Sequence, residues 1–292
     1  MNNVTMEKIV LDKKEVMLNN LQSKMVISGW GEPAFSDTVL EKITYLSDSL
    51  KINGYVCYPK DNANKKYPCV MWCRGGYGEN GAIDEFTAKG IFGRIAAEGF
   101  VVFSTQYRGN DGSEGRDEAG GSDVNDILNL INAANEFPFA DTKSWGIEGW
   151  SRGGMMAYLV LLRTNVFKCA VAAGAISDFE GYAKQNSQLK QIIAKYAGPE
   201  NIDNGIKQRT IIDKVVQLPD IPFLLMHGGS DDVVSVNQTL SLAEEFTKFK
   251  RNYKLIIFDK GDHHIKNYKK EIEIQKIIWF NKYLKNGKLY ES

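Results

Sequence analysis

The sequence predicts an α/β fold in which helices cover both faces of a mostly parallel central sheet. Short runs of Val, Ile, Leu and Phe recur along the chain with few polar interruptions, which is typical of strands buried on both faces. Amphipathic segments of helical period separate these runs, so strand and helix alternate as they do in parallel sheets. Several strands end in polar or glycine-rich turns, and in such sheets sites form at the carboxyl ends of the strands.

A series of apolar runs bounded by turn-forming residues predicts the strands. They cover residues 42–46, 50–58, 69–73, 100–105, 145–148, 166–173, 223–226 and 255–258. Segments with apolar residues at helical spacing predict the helices, and the first of them has Phe86, Ile91 and Ile95 on one face. These helices cover residues 83–98, 124–134, 155–162, 236–249 and 271–284.

Two segments lie outside this alternation. Residues 1–38 have no clear pattern, and we expect them to form an N-terminal extension packed on a domain of residues 39–292. Residues 177–218 are polar and helical and follow a strand, on the side of the sheet where a site is expected. This insertion is either a small lid over the site or a pair of surface helices without such a role.

The composition is that of an ordinary globular protein, with 43% hydrophobic and 25% charged residues. Lys and Arg number 36, as do Asp and Glu, so neither nucleic acid nor a membrane surface is expected as a partner. No signal peptide or spanning run is recognised. The four cysteines lie in or beside apolar runs without metal-site spacing, which favours reduced thiols in a cytoplasmic protein without metal or other cofactor. The sequence does not indicate an oligomeric state.

The most informative motif is Gly149-Trp150-Ser151-Arg152-Gly153, between a predicted strand and a predicted helix. A strand, a sharp turn and a helix form the context of a nucleophile elbow. The glycines permit a tight turn, and the helix N-terminus directs free N–H groups toward the serine. We therefore predict that Ser151 is a nucleophile, the alternative being a serine that only caps the helix.

Two later strands end in loops that carry an acid and a base, in the chain order used by α/β-hydrolase triads. The first loop contains Asp231 and Asp232, and the second contains His263 and His264. A serine needs a base to accept its proton, and the histidine needs a carboxylate to fix its tautomer. Spacing alone leaves open which member of each pair acts. His227 is interpreted as a structural residue that bridges loops.

Backbone N–H groups are needed to stabilise the oxyanion. We expect these donors to be Arg152, directly after the nucleophile, and Gly76, in the glycine-rich loop after the strand at 69–73. Tyr77 and Trp150 are expected to contact the substrate. Arg74 could bind a substrate carboxylate through a bidentate pair, although a salt bridge to a nearby acid is the preferred interpretation.

Together these residues resemble the catalytic α/β-hydrolase domain of the prolyl oligopeptidase family of serine peptidases, over roughly residues 43–284. Four segments carry the resemblance. They are similar to the family's N-Y-R-G loop, D-x-x-D helix start, H-G-x-x-D-x-x-V turn and D-H-G-I loop, at residues 106–115, 123–126, 227–234 and 262–265. The resemblance implies that Asp231 is the acid and His263 the base.

The resemblance further implies cleavage of a small peptide or acyl-amino-acid bond through an acyl-enzyme. The chain departs from the family pattern at Arg74, where a histidine or an oxyanion-donating tyrosine is usual, and at His264, which replaces a glycine. The β-propeller that screens substrates in many members is not expected in this chain. Two alternatives follow: a carboxylesterase acting on small esters, and an inactive binding protein on a hydrolase fold.

Overall fold

The computed structural model describes residues 8–197 and 199–285, and in this part of the chain all strands belong to one sheet. The strands are β1 (Val10–Glu15), β2 (Thr38–Ser47), β3 (Leu50–Pro59), β4 (Tyr67–Cys73), β5 (Val101–Thr105), β6 (Ala140–Trp150), β7 (Phe167–Ala173), β8 (Phe223–Gly228) and β9 (Tyr253–Phe258). Each predicted strand has an observed counterpart, although β6 begins earlier than expected.

The sheet has the order β1-β2-β3-β5-β4-β6-β7-β8-β9. The first three strands pair antiparallel with their neighbours, and every pair from β5 to β9 is parallel. The predicted mostly parallel sheet is therefore confirmed. Parallel order places the carboxyl ends of β4, β6, β7, β8 and β9 at one edge of the sheet, where a site is expected.

Helices pack on both faces of the sheet. They are α1 (Asn20–Trp30), α2 (Glu32–Ser36), α3 (Glu85–Ala96), α4 (Val124–Ala133), α5 (Arg152–Leu161), α6 (Phe179–Gln185), α7 (Ser187–Ala197), α8 (Ile202–Arg209), α9 (Asn237–Lys248) and α10 (Lys269–Leu284). One core contains side chains of α4, α5 and α9, and the other contains side chains of α3 and α10. Over residues 8–197 and 199–285, no helix combines the length and apolarity needed to cross a bilayer.

Adjacent strand residues contribute to opposite cores. Met71 of β4 belongs to the core beneath α4 and α5, whereas Val70 belongs to the core beneath α3 and α10. Leu225 and Leu224 of β8 divide in the same way. This division follows from the two-residue period of a strand, and it explains why the strands read as continuous apolar runs rather than as alternating ones.

The described residues before position 39 pack against the rest of the domain. β1 pairs with β2 and extends the sheet by one strand at its edge. The following helices pack against α3, where the rings of Trp30 and Phe86 lie 5.6 Å apart between centroids. The described part of residues 1–38 therefore packs on the sheet and on α3.

The insertion at residues 177–218 forms α6, α7 and α8, and hydrogen bonds at several places hold it to the rest of the domain. Arg209 of α8 donates hydrogen bonds to the carbonyl oxygens of Glu118 and Ala119, at 2.7 Å each. Ser177 Oγ donates to the carbonyl oxygen of Gln238 at 2.6 Å. The insertion is thus packed against the loop at residues 118–119 and against α9.

A buried ion pair joins α10 to the sheet. Lys276 Nζ and Glu148 Oε1 of β6 lie 2.5 Å apart, and both side chains are less than one-tenth exposed. Because Lys276→Met leaves the Glu148 carboxylate buried without its partner, we expect the free energy of unfolding to fall by about 3 kcal/mol. Urea denaturation followed by circular dichroism measures this loss.

The double variant Lys276→Met/Glu148→Leu serves as the control. It removes both charges at similar volume, so we expect it to recover most of the lost stability. A double variant as unstable as Lys276→Met would contradict the electrostatic explanation.

Candidate active site

The turn between β6 and α5 holds Ser151 in a strained conformation. Its φ of 57° and ψ of −126° lie where a residue with a side chain is rarely found. Its N–H donates to the carbonyl oxygen of Ala173 at 2.9 Å. A Cβ on Gly153 would lie 2.1 Å from the carbonyl oxygen of Cys73, so only glycine fits this approach between α5 and β4. The predicted nucleophile therefore lies at a tightly packed elbow.

An aspartate and a histidine are hydrogen-bonded at the neighbouring strand ends. His263 Nδ1 lies 2.8 Å from Asp231 Oδ2. The other carboxylate oxygen, Oδ1, accepts the N–H groups of Val233 and Val234 at 2.9 and 2.8 Å. Both carboxylate oxygens are thus occupied and their orientation is fixed. This contact favours the tautomer with its proton on Nδ1, which leaves Nε2 free to accept a proton.

The Asp231 carboxylate is charged under all ordinary conditions. Burial alone would raise the pKa of Asp231, but hydrogen bonds from His227, His263 and the Val234 N–H outweigh it and hold the pKa well below 3.8. His227 is itself buried, with Nδ1 2.7 Å from Thr239 Oγ1 and Nε2 2.8 Å from the Val234 carbonyl oxygen. It supports the acid loop and does not line the pocket described below.

Three loops meet at the end of β7, around Gly174. A Cβ on this glycine would lie 3.5 Å from Trp150 Nε1 and 3.6 Å from both Asp231 Oδ2 and His263 Cε1. The Trp150 indole also donates to the carbonyl oxygen of His263 at 3.0 Å. The residue before Ser151 therefore contacts the backbone of the loop that carries His263, and Ser151 and His263 line the same pocket.

The glycine-rich loop after β4, residues 74–78, packs against the turn that carries Ser151. A Cβ on Gly75 would lie 3.0 Å from the carbonyl oxygen of Trp150 and 3.4 Å from the Cβ of Ser151. The N–H groups of Gly76 and of Arg152, in the first turn of α5, have no hydrogen-bond acceptor within residues 8–197 and 199–285. Both remain available as donors beside the serine.

A pocket of about 660 Å³ opens at Ser151. Its lining comes from the glycine-rich loop, α3, the insertion and the three site loops, and contains no Asp, Glu, Lys or Arg. The lining residues are Trp72, Gly75, Gly76, Tyr77, Asn80, Gly81, Ala82, Ile83, Thr87, Ile91, Trp150, Ser151, Ile176, Tyr182, Val233, His263 and His264. The pocket is therefore suited to uncharged, largely apolar groups.

The expected contacts of the side chains around the pocket require one correction. Tyr77 and Trp150 line it, as expected of residues that contact a substrate. Arg74 does not, because its side chain is fully buried beneath the glycine-rich loop. The suggestion that Arg74 binds a substrate carboxylate is wrong. Its guanidinium bonds to backbone carbonyl groups, and the nearest acid, Asp117, lies 4.0 Å away.

Three buried arginine–aspartate contacts, made by two arginines, account for motifs whose purpose the sequence left open. The guanidinium of Arg152 lies 2.7 Å from Asp117 and 2.6 Å from Asp123. That of Arg108 lies 2.7 Å from Asp126. The acids of the D-x-x-D helix start therefore anchor arginines at the nucleophile turn and in the loop after β5. Asp117 was missed, because it lies in an irregular loop with no pattern around it.

The described geometry can be compared with that of known proteins. Residues 90–287 match the model of the Prolyl oligopeptidase family. The chain is 29% identical over 209 residues to the uncharacterised peptidase YtmA of Bacillus subtilis (strain 168), an alignment that covers 70% of this chain and 79% of that protein. It is 24% identical over 215 residues to prolyl endopeptidase FAP of Homo sapiens, covering 70% of this chain and 28% of that protein.

Solved structures agree on the fold. The acylaminoacyl peptidase of Pyrococcus horikoshii superposes with a TM-score of 0.72 at 20% identity, covering 95% of this chain and 45% of that one. Dipeptidyl peptidase 4 of Porphyromonas gingivalis superposes with a TM-score of 0.70 at 22% identity, covering 85% of this chain and 36% of that one. The chain thus spans most of YtmA but less than half of these larger relatives.

These findings confirm the α/β-hydrolase fold and the resemblance that the motifs carried. The family model covers more than half of the chain, and the matched region includes residues 149–153 and the loops that carry Asp231 and His263. The chain belongs to the prolyl oligopeptidase family of serine peptidases, which use a Ser-Asp-His triad.

Proposed function

We propose that Ser151, His263 and Asp231 form the catalytic triad of this hydrolase, and that it cleaves a small peptide or acyl-amino-acid bond. The observation that carries this proposal is the hydrogen-bonded Asp231–His263 pair beside a serine in a strained elbow, with Ser151 and His263 lining one pocket. The carboxylate fixes the imidazole and stabilises the cation that forms during the reaction.

The reaction proceeds through an acyl-enzyme. Ser151 Oγ attacks the substrate carbonyl carbon while His263 Nε2 takes the hydroxyl proton. The N–H groups of Arg152 and Gly76 donate to the oxygen that becomes negatively charged. His263 then gives its proton to the leaving amine as the carbon–nitrogen bond breaks. A water molecule, activated by the same histidine, hydrolyses the ester on Ser151 and restores the free enzyme.

The lining of the pocket indicates the substrate class. A free peptide N-terminus carries a positive charge and would need a carboxylate, but the pocket lining contains none. Apolar side chains such as Trp72, Ile91 and Tyr182 instead favour uncharged, apolar groups next to the scissile bond. We therefore favour substrates whose amino end is acylated or lies outside the pocket.

A carboxylesterase is the second candidate. The same apolar pocket accepts the acyl chain of a small ester, and ester cleavage needs less assistance to the leaving group than amide cleavage does. The machinery is common to both reactions, so only relative rates distinguish them.

Two further expectations complete the proposal. We propose that residues 177–218 act as a wall or lid of the site, because Tyr182 of α6 lines the pocket and its hydroxyl donates to the carbonyl oxygen of Val233 at 3.2 Å. A cytoplasmic location is supported by the four cysteines, which are all buried and unpaired.

Replacing the nucleophile tests the triad. We expect Ser151→Ala to lower kcat by about 10⁶-fold, because no group remains to form the acyl-enzyme. The same variant should lose covalent labelling by a fluorophosphonate probe, read by intact-protein mass spectrometry. Ser122→Ala, in a loop away from the pocket, is the matched control and should label normally. Labelling or wild-type turnover in Ser151→Ala would refute the assignment.

Asp231→Asn tests the role of the acid. We expect kcat to fall by about 10⁴-fold with little change in KM, because the amide holds His263 in the wrong tautomer. Steady-state kinetics on an acyl-amino-acid anilide provides the measurement. A loss confined to KM would contradict the assigned role.

The difference in stability between the wild type and Asp231→Asn should also depend on pH. Because the folded-state pKa of Asp231 lies below its ordinary 3.8, ionised Asp231 stabilises the wild type above that pH, and this stabilisation is lost as the pH falls below it. We therefore expect the wild-type advantage in unfolding free energy to be largest near neutrality and to shrink below pH 3.8. Urea titrations between pH 7 and pH 3 measure it, and an advantage that grows with acidity would exclude this explanation.

The substrate class can be tested with matched anilides. We expect N-acetyl-phenylalanine p-nitroanilide to be cleaved with a higher kcat/KM than phenylalanine p-nitroanilide, because only the second places a charged amine near the uncharged pocket. p-Nitrophenyl butyrate, compared in the same assay, measures the esterase alternative. A preference for the free amine would contradict the proposed substrate class.

A further inference from the structure

We infer that Arg74 is a positioning residue for the oxyanion hole: its guanidinium holds the peptide unit between Gly75 and Gly76 so that the Gly76 N–H is directed at the developing charge. This inference rests on the proposed function, since it concerns a donor to the oxyanion formed at Ser151. It assigns to Arg74 a task inside the protein in place of the substrate contact that its burial excludes.

The hydrogen bonds of Arg74 fix the loop from beneath. Nε donates to the carbonyl oxygen of Gln106 at 2.9 Å, which anchors the side chain to the end of β5. Nη1 donates to the carbonyl oxygen of Gly75 at 3.3 Å, and Nη2 to that of Gly78 at 3.2 Å. The C=O and N–H of a trans peptide point in opposite directions within one plane. Holding the Gly75 carbonyl therefore also sets the direction of the Gly76 N–H.

A second guanidinium holds the next peptide unit. Arg152 Nη1 donates to the carbonyl oxygen of Gly76 at 2.8 Å. Arg152 is in turn fixed by Asp117, at 2.8 and 2.7 Å, and by Asp123, at 2.6 Å. The peptide units on both sides of Gly76 are thus bonded to arginines. No strand or helix includes this loop, so these contacts replace the regular hydrogen bonding that would otherwise fix it.

Asp117, which fixes Arg152, also bonds to the glycine-rich loop directly. Asp117 Oδ2 accepts the N–H of Gly78 at 3.1 Å. Burial would raise the pKa of Asp117, but the charge and hydrogen bonds of Arg152 lower it to about 2, so this carboxylate is ionised at neutral pH. The ring of Tyr107 lies 5.1 Å from the guanidinium of Arg74 and 5.1 Å from that of Arg152, a cation–π contact with each.

This arrangement has two consequences for the oxyanion. A donor fixed before the reaction stabilises developing charge without any cost of reorganisation. A guanidinium bonded to a peptide carbonyl also polarises that peptide and strengthens its N–H as a donor. The planar fork of arginine reaches three carbonyl groups at once, whereas the single ammonium of lysine is a point charge without this geometry.

Arg74→Lys tests the inference, because it keeps the positive charge and removes the planar guanidinium. We expect kcat for an acyl-amino-acid anilide to fall by about 100-fold, the lower end of the loss when one oxyanion donor is removed, with KM changed less than about threefold. The affinity of an N-acyl amino aldehyde should fall in parallel with kcat/KM. This aldehyde forms a tetrahedral adduct with Ser151 whose oxygen occupies the oxyanion position.

Arg108→Lys is the matched control. Arg108 is also buried and paired, but its side-chain hydrogen bonds in the described residues go to Asp48 and Asp126 rather than to the glycine-rich loop. We expect both variants to unfold at lower urea concentration, and only Arg74→Lys to lose kcat and aldehyde affinity. If Arg74→Lys does not fold, Arg74→Gln takes its place, since it also removes the guanidinium that bonds to the carbonyl oxygens of Gly75 and Gly78.

The outcomes separate this inference from the proposed function. If the wild type is labelled at Ser151 by the fluorophosphonate probe while folded Arg74→Lys keeps wild-type kcat and aldehyde affinity, the inference is overturned and the triad stands. A loss equal to that of Arg108→Lys overturns it as well. Absence of labelling in the wild type refutes the proposed function itself.

Discussion

The close approach of α5 to β4 is the constraint on which the site depends. Gly153 lies so close to the carbonyl oxygen of Cys73 that no Cβ fits between them, and Ser151, two residues earlier, has a strained positive φ of 57°. This contact brings the loop after β4 beside Ser151, the proposed nucleophile. The proposed oxyanion donors and the pocket lie next to this contact. Strain of this kind persists only where the surrounding structure enforces it.

The central sheet could be predicted because both of its faces are covered. Strands such as β4 and β8 divide their side chains between two cores, so almost every residue is apolar and the run is easily recognised. β1 could not be found in this way. Its sequence is Val-Leu-Asp-Lys-Lys-Glu and only Val10 is buried, so its place in the sheet comes from pairing with β2 rather than from its own composition.

The order of motifs located the site, but not the direction of every side chain in it. Ser151, Asp231 and His263 each follow a strand, so parallel topology was enough to bring their loops together. Arg74 also follows a strand, yet its side chain turns into the protein, and nothing in the sequence distinguishes these two directions. The pocket wall was equally hidden, because Trp72, Ile91 and Tyr182 come from three separate elements.

The indole of Trp150 belongs to the pocket wall and is also hydrogen-bonded to the backbone of His263. A bound molecule that presses on this ring therefore acts on the loop that carries the histidine as well. Occupancy of the pocket would in this way be linked to the alignment of His263, the proposed base, through one side chain. Molecules that fill the cavity poorly would leave the imidazole less well aligned, so the enzyme would discriminate among them by rate as well as by affinity.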